Sequence, residues 1–292
     1  MNRGLPLALL LLAAASPVWA GLAPSDAARF PVPRRDALTF WGHACCYLDV
    51  DGYGIVTDPV FQKAFTIERR HIPTPPPASY RSARLVLLSH AHPDHLDAAT
   101  LSTFPADCVI LCPEPSKKYL GKVPQPVRTM RPGDSYTFPG GRVIAVVADH
   151  AGGRRSKADR ADGRALGYVI ETASRTLYYA GDTRLFDGFE AVARDYHPDI
   201  ALFNLNSHMH SLDAVRAFRA TGATTLVPLH FGAYGYFVFP ERKRPRDYEE
   251  MQEILGPQLA LLLPGDSLPL PARVESTGRE SSENERLAQE NR

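Results

Sequence analysis

The sequence predicts an α/β fold that carries its chemistry on one edge, and three observations predict it. Short apolar runs of strand length recur from residue 38 to residue 263, with segments of helix length among them from Asp97 onward. Turn pairs such as Asp51-Gly52 and Pro139-Gly140-Gly141 join neighbouring runs as hairpins. And His90, His150, Asp182 and His230 each follow an apolar run directly or within a residue or two. Polar residues on successive strand ends converge on one rim of a sheet, whereas any one of them alone is an ordinary polar residue.

The elements read in order as follows. Leu38 to Trp41 is a strand, and Cys46 to Val50 pairs through Asp51-Gly52 with a return strand at Ile55-Val56, ended by Thr57-Asp58-Pro59. Residues 71–80 hold Pro73, Pro75, Pro76 and Pro77 and read as a loop, either a cover over a site or a plain connection. Leu85-Val86-Leu87-Leu88 has the composition of a buried strand, and Asp97 beyond it can cap a helix through Leu101 to Phe104. Cys108 to Leu111 is a strand, followed by a short helix from Pro115 to Leu120 closed by Gly121. Tyr136–Phe138 pairs with Val143–Ala148, and Tyr168–Glu171 with Leu177–Ala180; residues 151–164 between the hairpins read as a mobile loop. A helix over Phe186–Asp195, a strand Ile200–Leu205, a helix Ser211–Ala220 and a strand Thr225–Leu229 follow. A helix near Tyr248–Leu255 and a strand Leu259–Leu263 complete the fold.

The chemistry centres on Ser89-His90-Ala91-His92-Pro93-Asp94-His95-Leu96-Asp97. Three histidines and a carboxylate occupy six positions on a strand-to-helix loop. Imidazole with carboxylate suits zinc and similar divalent ions. One tetrahedral ion rarely takes four adjacent ligands from one tight loop, whereas two neighbouring ions can, with His90 and His92 serving one and Asp94 and His95 the other. A polar loop with surface histidines is the bland alternative. A zinc-protease helix is excluded, because its His-Glu-x-x-His spacing is absent and Pro93 breaks a helix here.

Composition bounds the rest. With 292 residues, 44% hydrophobic and 22% charged, the chain can bury a sizeable core in one large domain or two. A formal net charge of +1 gives no global bias toward nucleic acid or an anionic membrane, so no nucleic-acid partner is expected. Met1-Asn2-Arg3, the apolar Leu5–Ala15 and Val18-Trp19-Ala20 have the layout of a signal peptide cleaved before Gly21. The apolar run falls short of the ~20 residues of a membrane span. The expected organisation is a signal peptide at 1–20, an arm at 21–36, one domain at 37–270 and a disordered polar tail at 271–292, in a periplasmic or secreted protein. Cys108 and Cys112 would stand ~13 Å apart along a strand, too far to bridge. Cys45 and Cys46 point to opposite faces of a strand; one could reach Cys108 or Cys112, or all four could be buried free thiols.

Taken together, the His90–His95 loop, the isolated His150, Gly181-Asp182-Thr183 and the late His230 resemble the metallo-β-lactamase-fold hydrolases over roughly residues 38–265. The resemblance implies a four-layer αββα sandwich with two divalent ions on one edge, zinc first, with manganese or iron as alternatives. It implies His90, His92 and His150 on one ion, Asp94, His95 and His230 on the other, and Asp182 bridging them. Trp41-Gly42-His43, Thr57-Asp58-Pro59-Val60-Phe61 and His208-Met209 look most like the branch of N-acylphosphatidylethanolamine phospholipase D-type and ascorbate-6-phosphate lactonase-like proteins. That likeness implies catalytic or substrate roles for Asp58 and His208 beside Asp94; His43 reads by default as a buried, hydrogen-bonded histidine of the first strand. Departures stand at Phe231-Gly232-Ala233, at Arg184, and in the short Asn204-Leu205-Asn206-Ser207 segment. The expectation is an exported hydrolase in which a water deprotonated between two ions cleaves a phosphodiester, lactone or other ester in a small or lipid-derived substrate. The alternatives are a non-hydrolytic metal-binding or redox member of the same fold, or a β-lactamase. Oligomeric state is not legible.

Overall fold

The computed structural model describes residues 30, 32–65, 68–150, 165–235 and 245–270. The expected signal peptide, most of the arm, the 151–164 loop and the tail lie outside the described residues. In chain order the first strands are β1 (Ala37–Gly42), β2 (Cys45–Val50), β3 (Tyr53–Thr57), β4 (Ala64–Phe65), β5 (Glu68–Arg70) and β6 (Ala83–Leu87), followed by helix α1 (Ala98–Leu101). Next come β7 (Val109–Pro113), β8 (Val127–Met130), β9 (Ser135–Phe138), β10 (Gly141–Val147), β11 (Leu166–Thr172), β12 (Thr176–Tyr179) and α2 (Gly188–Tyr196). The remainder is β13 (Ile200–Asn204), α3 (Ser211–Thr221), β14 (Thr225–Leu229), β15 (Tyr234–Gly235), α4 (Pro245–Leu255) and β16 (Ser267–Pro269).

Two sheets stack face to face. The first runs β16-β1-β2-β3-β6-β7-β8 and the second β14-β13-β12-β11-β10-β9; β15-β5-β4 make a small separate ribbon. Alternation along the strands builds the interface: Leu38, Phe40, Cys46, Leu48, Ile55, Leu85 and Leu87 of the first sheet share one cluster with Val143, Ala145, Tyr168 and Ile170 of the second. Phe189, Ala214, Phe218 and Met251 bring α2, α3 and α4 into the same cluster on the second sheet's outer side. The opposite parity of the first sheet, Trp41, Cys45, Tyr47, Val56, Val86 and Ile110, packs outward under Leu96, Leu101 and Phe104 around α1. The result is a four-layer αββα sandwich. Full burial of each large aliphatic or aromatic side chain contributes roughly 1.5–3 kcal/mol relative to exposure.

Strand direction explains the functional edge. β3, β6, β7 and β8 are parallel, as are β12, β13 and β14. β1 shares the direction of β3 through two antiparallel steps, and β10 that of β12 in the same way. The carboxyl ends of these strands open on one side, where ligands gather in open α/β sheets.

Most local expectations hold with shifted ends. Asp97 caps α1 by accepting from Ala99 N at 3.2 Å, but the helix is a single turn. Pro115–Leu120 is a 3-10 turn over Glu114–Tyr119, and Gly121 follows with φ +61°. The 71–80 segment is a packed connection, its Tyr80 ring stacked 4.6 Å from Phe104. All four cysteines are buried and unbridged, with Cys45 and Cys46 in opposite clusters. The strand expected at Leu259–Leu263 is corrected. Only Leu259 bridges Leu226 there, Leu261 and Leu262 cover the core without a ladder, and β16 forms the edge instead. Strands β4, β5, β8 and β15 were not expected; they are two to four residues long, and β8 mixes Arg128 and Thr129 into its run.

Candidate metal centre

The site is assembled from strand ends. After β6 the chain is held by Leu88 N donating to Leu111 O and by Leu166 N donating to Ser89 O. It then turns at Pro93, with His95 N and Leu96 N both donating to His92 O. This winding places His90 and His92 on one side and Asp94 and His95 on the other. The end of β10 supplies His150, tied to the loop after β12 by Asp149 N donating to Thr183 Oγ1 at 3.0 Å. The end of β14 supplies His230, and the loop after β12 supplies Asp182.

Two groups of donors face each other. In the first, His90 Nε2 lies 2.7 Å from His92 Nδ1, which lies 3.2 Å from His150 Nε2. In the second, His95 Nε2 is 3.2 Å from His230 Nε2, and each is 3.6 Å from Asp94 Oδ2. Asp182 lies between them: Oδ1 is 3.5 Å from His95 Nε2 and 3.6 Å from His230 Nε2, and Oδ2 is 3.8 Å from His150 Nε2. All seven residues expected as ligands are thus brought together.

Asp58 is buried behind His95. Its Oδ2 accepts from His95 Nδ1 at 2.7 Å, from Ser89 Oγ at 2.5 Å and from Tyr179 OH at 2.5 Å, and its Oδ1 accepts from Ser89 N at 2.7 Å. Asn204 Nδ2 donates to Asp182 Oδ1 at 2.9 Å. His208 is exposed, its ring centroid 5.2 Å from that of His150. Sequence reasoning missed Tyr179, Ser89 and Asn204 as supports. His43 is buried and hydrogen-bonded, as expected. His43 lies beyond β1, not in it, and its Nε2 is 3.2 Å from Asp94 Oδ2.

Burial and charge set the protonation states. Burial, with a contribution from His95, holds His90 well below the usual imidazole range; burial lowers His150 to about 4 and, with His43, lowers His230 to about 3. Their ring nitrogens therefore keep free lone pairs at neutral pH. Burial would also depress His95, but Asp182, Asp94 and Asp58 outweigh it and raise its pKa to about 10. Burial opposes ionisation of Asp182 and Asp94, yet the surrounding imidazoles win and hold both carboxyls well below their usual range. The buried Asp58 and Asp182 and the half-buried Asp94 thus gather round a single favoured proton on His95. Buried anions need cationic partners, and this donor set of imidazoles and carboxylates fits divalent ions of the zinc type.

Three residues of the site, His43 (φ +59°), Asp58 (φ +32°) and His230 (φ +77°), hold a backbone that favours glycine. Such conformations cost of order 1–3 kcal/mol each and cluster at functional sites. Gly181, at φ +62°, leaves no alternative: a Cβ there would sit 2.7 Å from Ser89 Cβ and 2.9 Å from Leu166 O.

Residues 53–231 match the family described as the beta-lactamase superfamily domain. The chain belongs to the metallo-β-lactamase superfamily. It is 30% identical over 204 residues to a UPF0173 metal-dependent hydrolase of an Exiguobacterium species, covering 68% of this chain and 86% of the relative. A UPF0173 metal-dependent hydrolase of Pyrococcus furiosus is 27% identical, covering 80% of this chain and 99% of the relative. In structure, an isothiocyanate hydrolase from Delia radicum gut bacteria superposes with a TM-score of 0.64 at 20% identity, covering 81% of this chain and 99% of the other. This superfamily member is a metal-dependent hydrolase, and its His/Asp clusters are able to hold metal.

Proposed function

We propose that this protein hydrolyses an ester bond, whether in a phosphodiester, a lactone or another small or lipid-derived ester, with two divalent ions at this edge. His90, His92 and His150 would hold one ion, Asp94, His95 and His230 the other, and Asp182 would serve both. The observation that carries this reading is the position of Asp182, with one oxygen toward His95 and His230 and the other toward His150. When bound, such ions lower the pKa of water and polarise the substrate oxygen. The protein's own groups do the rest. Asp58 fixes the His95 ring so that Nε2 faces the site. Ser89 and Tyr179 keep Asp58 in place, and burial and the Asp58 carboxylate push the Tyr179 hydroxyl up so that it stays a donor. His208, exposed at the rim beside His150, binds the substrate's anionic group or protonates the leaving group.

Elemental analysis of purified protein, with a hydrolysis screen over phosphodiesters, lactones, β-lactams and isothiocyanates, tests the proposal. Two ions per chain and turnover of one ester class are expected. Metal without turnover of any class would favour a non-hydrolytic role. We also propose export with removal of residues 1–20, supported by the basic, apolar and small-residue segments in turn. The intact mass of the exported protein should begin at or near Gly21, and a retained Met1 in that fraction would sink the idea.

A further inference from the structure

His43 is built into the second donor group by more than its ring. Its backbone N donates to Phe231 O at 2.5 Å, and His230 N donates back to His43 O at 2.7 Å. The end of β1 in one sheet is thereby clasped to the end of β14 in the other. Both histidines of the clasp are in the left-handed region, at φ +59° and +77°. Gly42 immediately precedes His43, itself at φ +92°, so the turn already has one glycine where glycine is favoured. A histidine in the next left-handed position costs stability, and such strained positions cluster at functional sites.

The side chain points to a use. His43 is buried, its ring centroid 4.0 Å from that of His230 and 5.5 Å from that of His95. One donor atom each from His43, Asp94, His95 and His230 lies within 4.8 Å of the others. Four of the separations are 3.2, 3.2, 3.6 and 3.6 Å. The edge of a tetrahedron with zinc-like bonds of 2.0–2.1 Å is about 3.4 Å. Asp182 aside, the first group, His90, His92 and His150, offers three donors.

We propose that His43 is a further protein ligand of the second metal position, beside Asp94, His95, His230 and the Asp182 that faces both groups, so that the second position has one more protein donor than the first. Building on the two-ion reading above, the His43, Asp94, His95 and His230 position is closed by protein donors. The His90, His92 and His150 position keeps room for water and substrate. With Asp182 counted on both, the second position has five protein donors and the first four, and a position with fewer protein donors is the one that leaves room for water and substrate. The 3.2 Å His43 Nε2–Asp94 Oδ2 contact is then the form of the site without an ion.

The test uses the full chain stripped with chelator and reloaded with zinc or cobalt(II). Competition against a chromophoric chelator gives two affinities, and cobalt(II) reports coordination through its visible absorption. His43→Gly removes the imidazole while suiting the backbone. It should weaken the second ion by more than ~100-fold, beyond the roughly 10–100-fold typical of a residue that only orients a ligand. The first ion's affinity should be unchanged, the cobalt absorption of the second position should change, and added imidazole should restore it. Wild-type affinities with an unaltered cobalt spectrum would overturn the proposal. A loss within the orienting range with that same spectrum would also overturn it, reducing His43 to a support for Asp94. Should His43→Gly not fold, cobalt-loaded wild type still decides. Its hyperfine-shifted imidazole N–H resonances should come from six histidines, three per position; five would exclude His43. His230→Ala separates the two readings. If it loses the second ion while His43→Gly keeps it, only the His43 assignment fails. If it too binds both ions as wild type does, the ligand assignment of the second position fails, and the two-ion reading itself fails if wild type takes up fewer than two ions.

Discussion

Asp58 and His95 are bonded to each other at 2.7 Å with neither side chain reached by solvent. The carboxylate comes from the end of β3 and the imidazole from the loop after β6, neighbouring parallel strands of one sheet. Every acceptor position of Asp58 that the site uses faces a donor: Ser89 N and Oγ, His95 Nδ1 and Tyr179 OH.

Asp58→Asn keeps the shape and breaks this arrangement. One end of the amide becomes a donor, and wherever it turns it meets another donor. An unsatisfied buried polar group costs about 1–3 kcal/mol, and a ligand that loses its orienting carboxylate binds metal roughly 10–100-fold more weakly. Denaturant melts and zinc titration of Asp58→Asn should show both losses. Wild-type metal affinity in a folded variant would remove Asp58 from the site.

The residues gathered at this edge were legible because their pattern is local and punctuated. His90 through His95 stand in one loop, and His150, Asp182 and His230 each follow an apolar run. His43 obeys the same rule, following the strand at Leu38–Trp41 after a single glycine. It was passed over because a lone histidine is more often a satisfied polar residue, and its partner Asp94 lies 51 residues away. Tyr179 and Ser89 were invisible for another reason. Tyr178 and Tyr179 look alike in the sequence, yet strand parity sends Tyr178 toward Phe189 and Phe203 and Tyr179 toward Asp58. The strand misread at Leu259–Leu263 shows the same limit, since an apolar run covers a core equally well without a ladder partner.

Gly181→Ala tests how tightly the Asp182 loop is packed on the metal loop. The added methyl would press on Ser89, whose hydroxyl and amide both hold Asp58, and on the Leu166 carbonyl. The backbone is also left-handed at this position. Overpacking and strain together predict a loss of roughly 1–3 kcal/mol, read as a lower denaturation midpoint. A variant as stable as wild type would mean the two loops are not rigidly apposed.

The metal-free protein should lose stability on the acid side earlier than its carboxylates alone require. His150 is held at about 4, His230 at about 3 and His90 well below its ordinary value, against ~6.5 in the unfolded chain. Between these values the unfolded state binds more protons, so stability falls as pH drops from ~6.5 toward 4. His95 has the opposite sign. Raised to about 10, it contributes fully below ~6.5 and its contribution is lost as pH rises through 10. Thermal melts of chelator-treated protein should therefore peak near neutrality and decline on both sides. Zinc should abolish the alkaline decline, because a coordinated His95 gains nothing from a proton. A melting temperature flat from pH 4 to 7 without metal would contradict these assignments.

His208→Ala should separate substrate chemistry from metal binding. The side chain is exposed and lies outside both donor groups, its ring 5.2 Å from that of His150. Both ions should remain at wild-type affinity while turnover falls by roughly 10²-fold or more, the scale of a lost acid–base group. Full turnover in the variant would leave His208 an ordinary surface histidine.

Asp182→Ala should be the most damaging single change at this edge. Two divalent cations at short separation repel each other, and most of the donors around them are neutral imidazoles. Asp182 and Asp94 are the negative charges among the seven assigned ligands, and Asp182 alone faces both groups. Asn204 holds its Oδ1, so the carboxylate is oriented before any ion arrives. Removing it should weaken both positions at once, whereas His230→Ala should weaken mainly the second. Elemental analysis after dialysis should find markedly less than two ions per chain in Asp182→Ala, with hydrolysis almost abolished. Two tightly held ions in that variant would refute the bridging role and leave Gly181-Asp182-Thr183 as a turn that only ties β12 to the end of β10.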